Sequence, residues 1–225
     1  MAEAKPHGTA PTGGKTRGLH SVSVQGWAAL GGLVSFLFFL INIQHPGALF
    51  FDESYYVPAA RRFIELSSPI NQEHPPLGKC LIALGIAIFG DNLWGWRLPS
   101  AMFGGLALFA TVMFAWELYR SAQIAVLTGV FLIAGHLLFV QSRIAMLDVF
   151  MAAFLMLALW QLAAAVRATR GAWKRLAWAG AMLGLSMACK WTAAPYGLAI
   201  GLGFLFWRAA RLGKSAWSPR QLLFD

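Results

Sequence analysis

Asp52 and Glu53 stand side by side just after an apolar run. Paired carboxylates of this kind can take up a proton or help to hold a cation. Further along come His74 and Lys79, bracketing Pro75-Pro76-Leu77-Gly78, then Arg97, then Arg143 with Asp148 close behind it, and last Lys190. Brought to one depth, these bases and acids make a site for an anionic ligand with a carboxylate in it. The competing reading is that each charge merely rests among lipid headgroups, where Lys and Arg extend comfortably. For the whole set that reading weakens, because ionisable groups in or near membrane spans are costly and tend to mark function. No ligand spacing demands a metal, and a divalent ion near Asp52 and Glu53 stays open. Cys80 and Cys189 are too few and too far apart for a disulfide framework or a zinc-ligand set.

The elements that must position these residues follow from composition. Of 225 residues 58% are hydrophobic and only 12% charged, about half the charge of an ordinary soluble domain. This excludes a disordered chain and argues against a soluble globule. Long apolar segments run over Trp27–Ile43, Leu98–Trp116, Ala122–Val140, Met146–Val166, Leu176–Cys189 and Ala194–Trp207. A bilayer core needs roughly 20 helical residues, so the chain reads as all-α, a polytopic bundle of about six spans. Residues 1–24 read as a disordered cytoplasmic tail, 25–208 as the membrane domain with its site-bearing loop at 44–97, and 209–225 as a basic cytoplasmic tail that is cut short.

The segment Leu77–Gly90 is apolar but too short to be read as a span, and suits a re-entrant or interfacial helix. Charge supports this. If the segment does not cross, Lys5, Lys15, Arg17, Arg120, the Arg167–Arg175 loop and the Arg208–Arg220 stretch share one side, which then carries the whole net charge of +9. That side is cytoplasmic by the positive-inside rule. Orientation therefore explains the basic balance, and nucleic acid is not needed as a partner. All the candidate site residues fall on the opposite, outward face. The external loop there includes Ser54–Ser67, an amphipathic surface helix with Tyr56, Ala59, Ala60, Phe63 and Ile64 toward the bilayer. Two prolines then fix an extended entry to Leu77, and Gly78 permits close backbone approach.

The ordered set Phe51-Asp52-Glu53, His74-Pro75-Pro76-Leu77-Gly78-Lys79, Arg97-Leu98-Pro99-Ser100-Ala101, Ser142-Arg143 with Leu147-Asp148, and Lys190-Trp191 resembles the protein O-mannosyltransferases and related GT-C glycosyltransferases that use a polyprenyl-phosphate sugar. The match covers the N-terminal half of that family. The resemblance implies a GT-C bundle whose first external loop holds the active site and membrane-surface helices. It implies transfer of a mannosyl or related group from a lipid-linked donor to Ser or Thr hydroxyls of exported proteins, and membrane lipids as surroundings. In that scheme Asp52 is the base and Glu53 its neighbour, binding acceptor or positioning Asp52. Arg97 meets the donor phosphate, with Lys79 and Arg143 as secondary candidates. His74 contacts the acceptor or holds the loop, and Asp148 pairs with Arg143 or with Lys190 in support. No metal ligand set and no cofactor beyond the donor substrate is implied. The family carries many more spans, so this chain is expected to be partial, to need a partner or missing C-terminal half, or to be an inactive remnant. The site would be extracytoplasmic in a bacterial plasma membrane, or lumenal in a eukaryote. Rivals are a related enzyme with a lipid or cell-wall acceptor, a transporter subunit and a non-catalytic scaffold.

Overall fold

The computed structural model of the protein describes residues 23–168 and 172–212. The expected tail over most of 1–24, the middle of the Arg167–Arg175 loop and 213–225 of the expected tail 209–225 lie outside the described residues, while 209–212 continue the last helix. Among the described residues the fold is all-helical, in the order α1 (Val24–Leu40), α2 (Glu53–Ile64), α3 (Leu77–Phe89), α4 (Leu93–Tyr119), α5 (Ala122–Ala134), α6 (Leu137–Gln141), α7 (Leu147–Arg167), α8 (Ala172–Cys189) and α9 (Ala193–Leu212). Of these, α4 and α7 are long and apolar enough to cross a membrane, while α1, α3 and α5 are shorter apolar helices. Trp27, Leu30, Leu33, Val34 and Leu37 are exposed along α1. Such outward apolar faces belong to a helix surrounded by lipid or by further protein.

Helix limits follow local chemistry. The Ser23 hydroxyl accepts from the Gly26 amide at 3.2 Å and starts α1. Asn92 accepts from the Trp94 and Gly95 amides at 2.9 and 3.2 Å and starts α4. Such caps satisfy the otherwise orphaned first amides. The cap sets α4 going before the apolar run begins at Leu98, so Arg97 lies inside the second turn rather than at the helix head. The expected continuous span Ala122–Val140 is broken. Gly135 ends α5 and His136, at φ +58°, turns the chain before α6. The amphipathic surface helix ends at Ile64, before the expected Ser67, where Leu66 takes φ +51°.

The helix ends sort into two groups. At one end, Arg167 donates to the Leu118 carbonyl at 3.0 Å, joining the close of α7 to the close of α4. At the other, Arg143 donates to the Ile41 and Asn42 carbonyls at 2.7 and 2.8 Å, joining the α6–α7 turn to the end of α1. Both ends of α3 belong to this second group. Its start packs on the start of α7, where a Cβ on Gly78 would lie 2.7 Å from Leu147 Cδ2. Asp91, just after it, pairs with Arg61 of α2 at 2.8 Å. Asp91 is held below the usual carboxylate range: burial opposes this, but hydrogen bonds from Arg61 and Trp96 and the Arg61 charge outweigh it.

Helices α1 and α4 approach closely through glycine. A Cβ on Gly105 would sit 2.6 Å from the Gly32 carbonyl oxygen, and one on Gly32 would sit 2.8 Å from that of Gly105. Backbone on both sides leaves nothing flexible to yield. The Gly105→Ala variant is expected to lose about 1–3 kcal/mol, as overpacked interiors do. A thermal melt in detergent matching that of the parent protein would count against the close approach.

Candidate active site

The segment between α1 and α2 has no regular structure of its own, so its shape must come from side chains elsewhere. Arg97 supplies it. The guanidinium Nε donates to Glu53 Oε1 at 2.8 Å. Nη1 donates to the carbonyls of Ile43 and Pro46 at 2.8 and 2.9 Å. Nη2 donates to the Ala48 carbonyl at 3.0 Å and to Glu53 Oε2 at 2.7 Å. These acceptors match the five N–H donors of an arginine. Glu53 is equally occupied, since Oε1 also accepts from the Ala145 amide at 2.8 Å and Oε2 from the Phe50 amide at 2.9 Å. Both side chains are 0% exposed. A buried ion pair is tolerable only when its remaining donors and acceptors are satisfied, and here they are.

Two expectations change. Arg97 leaves no N–H for a lipid phosphate, because loop carbonyls and Glu53 take every one. Glu53 offers no free oxygen to an acceptor, and its part is to shape the loop that carries Asp52. Arg143 lies at the same end of the molecule but is also engaged. One terminal nitrogen serves the two α1-end carbonyls, and its guanidinium lies over the Phe139 ring, 4.9 Å from the centroid.

Asp52 is half-buried at the head of α2, and its side chain makes no capping bond to the helix. Tyr56, one turn on, instead donates its hydroxyl to Asp52 Oδ2 at 3.2 Å. Tyr56 was expected to face the bilayer; it is 3% exposed. Burial raises its pKa well above the usual phenol range, and the Asp52 charge and hydrogen bond and the Asp148 charge add to the rise. The hydroxyl therefore keeps its proton throughout the physiological range. The His74 ring meets Tyr56 edge-on at 6.0 Å between centroids. Across the site, Lys190 donates to both oxygens of Asp148 at 2.7 and 2.8 Å. Of the two partners expected for Asp148, the structure selects Lys190.

Lys79 is buried, and its ammonium donates to the carbonyls of Asn71 and His74. This pins the loop ahead of the two prolines. Beside it lies a cavity of about 630 Å³, bordered by His74, Pro75, Pro76, Lys79, Met187 and Trp191. Its walls are mainly apolar, with Gln72, His74 and Lys79 as polar points, as ligand sites commonly are. The structure thus brings Asp52, His74 and Asp148 around Tyr56, with Lys190 bound to Asp148, sets Lys79 on the cavity wall, and places Glu53 and Arg97 in the buried layer that fixes the loop. Tyr56 is the residue that sequence reasoning missed. Its signal was the four-residue spacing from Asp52, which puts both on one helix face. Among the described residues no three His, Cys, Asp or Glu side chains gather as a metal site would require.

The family model described as dolichyl-phosphate-mannose-protein mannosyltransferase matches residues 73–219. A polyprenol-phosphate-mannose–protein mannosyltransferase of Corynebacterium glutamicum is 36% identical over 150 residues, covering 60% of this chain and 29% of that protein. One of the same name from Mycobacterium tuberculosis is 31% identical over 212 residues, 79% of this chain and 40% of that protein. An undecaprenyl phosphate-alpha-4-amino-4-deoxy-L-arabinose arabinosyl transferase of Pseudomonas fluorescens is 28% identical over 137 residues, 57% of this chain and 24% of that protein. The chain spans less than half the length of these curated relatives. No solved structure matches.

Proposed function

Because the chain belongs to the dolichyl-phosphate-mannose-protein mannosyltransferase family, we propose that it transfers a mannosyl or related glycosyl group from a polyprenyl-phosphate donor to a Ser or Thr hydroxyl of an exported protein. The observation that carries this reading is a half-buried carboxylate, Asp52, held one hydrogen bond from Tyr56, whose ring abuts the cavity-lining His74. An alcohol is a poor nucleophile, and Asp52 takes its proton as the oxygen attacks the anomeric carbon. The lipid phosphate leaves as an anion and is met by cations rather than by an acid. Lys79 suits that role best, since an ammonium has three N–H groups and the loop carbonyls take two. Arg143 is secondary, and His74 lies where it can touch the acceptor. Lys190 and Asp148 neutralise each other, so that the Asp148 carboxylate does not repel the donor phosphate.

The bundle end that carries Asp52 faces outward, with α2 and α3 lying at the membrane surface and the basic ends of the helices inside. The lipid tail enters from the bilayer beside the cavity. A second reading, transfer of an aminoarabinose-type sugar to a lipid acceptor, has support from the arabinosyl transferase relatives, which extend in one case over 88% of this chain.

Membranes carrying the full chain and control membranes lacking it are to be given radiolabelled polyprenyl-phosphate mannose and a Ser/Thr peptide. In parallel they are to be given undecaprenyl-phosphate aminoarabinose and a lipid acceptor. Label in the peptide that requires the chain is the expected result. Label only in the lipid arm would move the assignment to the second reading, and label in neither would overturn both.

A further inference from the structure

Asp52 presents two oxygens, and the structure treats them differently. Oδ2 accepts the Tyr56 hydroxyl at 3.2 Å, whereas no hydrogen bond from a described residue reaches Oδ1. The donor is held on every side. Tyr56 is 3% exposed, its ring meets His74 edge-on, and its place on α2 is fixed by Glu53 in the first turn of the same helix. A phenol has one proton to donate, and here it goes to Asp52.

Resting on the transferase reading above, we propose that Tyr56 is a positioning residue for Asp52: by tying down Oδ2 it presents Oδ1 to the acceptor hydroxyl in a single orientation. In the transfer step the acceptor oxygen bonds to the anomeric carbon and its proton passes to Oδ1. The bond from that carbon to the phosphate oxygen breaks, and its electron pair leaves with the lipid phosphate. Asp52 then returns its proton to water. Tyr56 neither gains nor loses a proton in this cycle. Without the hydroxyl the carboxylate rotates freely, and the fraction of bound complexes with an oxygen in line with the acceptor falls.

Tyr56→Phe keeps the ring and its packing on His74 and removes only the tether. Turnover is to be compared in the full chain for the wild type, Tyr56→Phe, Asp52→Asn and the double variant, alongside thermal melts in detergent. The expected result is a kcat about tenfold or more lower in Tyr56→Phe, with KM for donor and acceptor within about twofold and an unchanged melt. In the Asp52→Asn background the same change is expected to have no further effect, because residues that act as a unit are not additive. A Tyr56→Phe variant with wild-type kcat overturns the role. So does one whose loss lies in KM or stability, or one that slows Asp52→Asn by the same factor again. A wild type that transfers nothing from a polyprenyl-phosphate donor overturns the transferase reading itself and this role with it.

Discussion

Asp52→Asn is expected to cut glycosyl transfer by about a hundredfold to ten-thousandfold, the range that a positioned general base supplies, while the protein accumulates in membranes and melts like the wild type. The amide keeps the shape of the side chain and still accepts the Tyr56 hydroxyl through its oxygen, so little in the fold depends on the charge. What disappears is the ability to take the acceptor's proton. The comparison needs initial rates at saturating donor, together with binding of the unreactive polyprenyl phosphate, which should be unaffected. A variant that turns over at the wild-type rate would remove Asp52 from the chemistry.

The neighbouring carboxylate should behave in the opposite way. Glu53→Ala is expected to destabilise the protein by about 3–5 kcal/mol, the cost of stranding a buried charge. It also leaves the Phe50 and Ala145 amides without their acceptor. Arg97→Lys should fail as well, because an ammonium carries three N–H groups and cannot satisfy the acceptors that Arg97 serves. Melting in detergent, followed by tryptophan fluorescence, gives the measurement. Either variant melting with the wild type would mean that the loop is held by something else. Two adjacent acids would thus be separated by readout: loss of Asp52 is expected to stop turnover in a folded protein, and loss of Glu53 to cost the fold.

Much of this arrangement was legible in the sequence. Apolar runs located the cores of α1, α4 and α7, and shortness marked α3 as different. The candidate residues were found from their order along the chain. The roles of Glu53 and Arg97 were not legible, for a physical reason. Arg97 is bound largely by backbone carbonyls of Ile43, Pro46 and Ala48, and a carbonyl has no sequence signature. Tyr56 was misread because an amphipathic side chain fits either the bilayer or a polar site, and helix periodicity does not distinguish them. The break at Gly135 and His136 was hidden by apolar residues on both sides of it, and the start of α4 was misplaced because the apolar run was followed rather than the Asn92 cap.

The contacts of Glu53 also have a consequence for how the protein is made. Its partners lie 44 residues downstream, at Arg97, and 92 downstream, at Ala145. During vectorial synthesis the Asp52–Glu53 loop therefore emerges long before the groups that shape it. On the membrane reading proposed above, α1 and the unmatched carboxylate that follows it would wait until the α6–α7 turn had been made and brought to the same end of the bundle. Chains stalled before Ala145 should carry that loop in a protease-sensitive form, and longer ones should protect it.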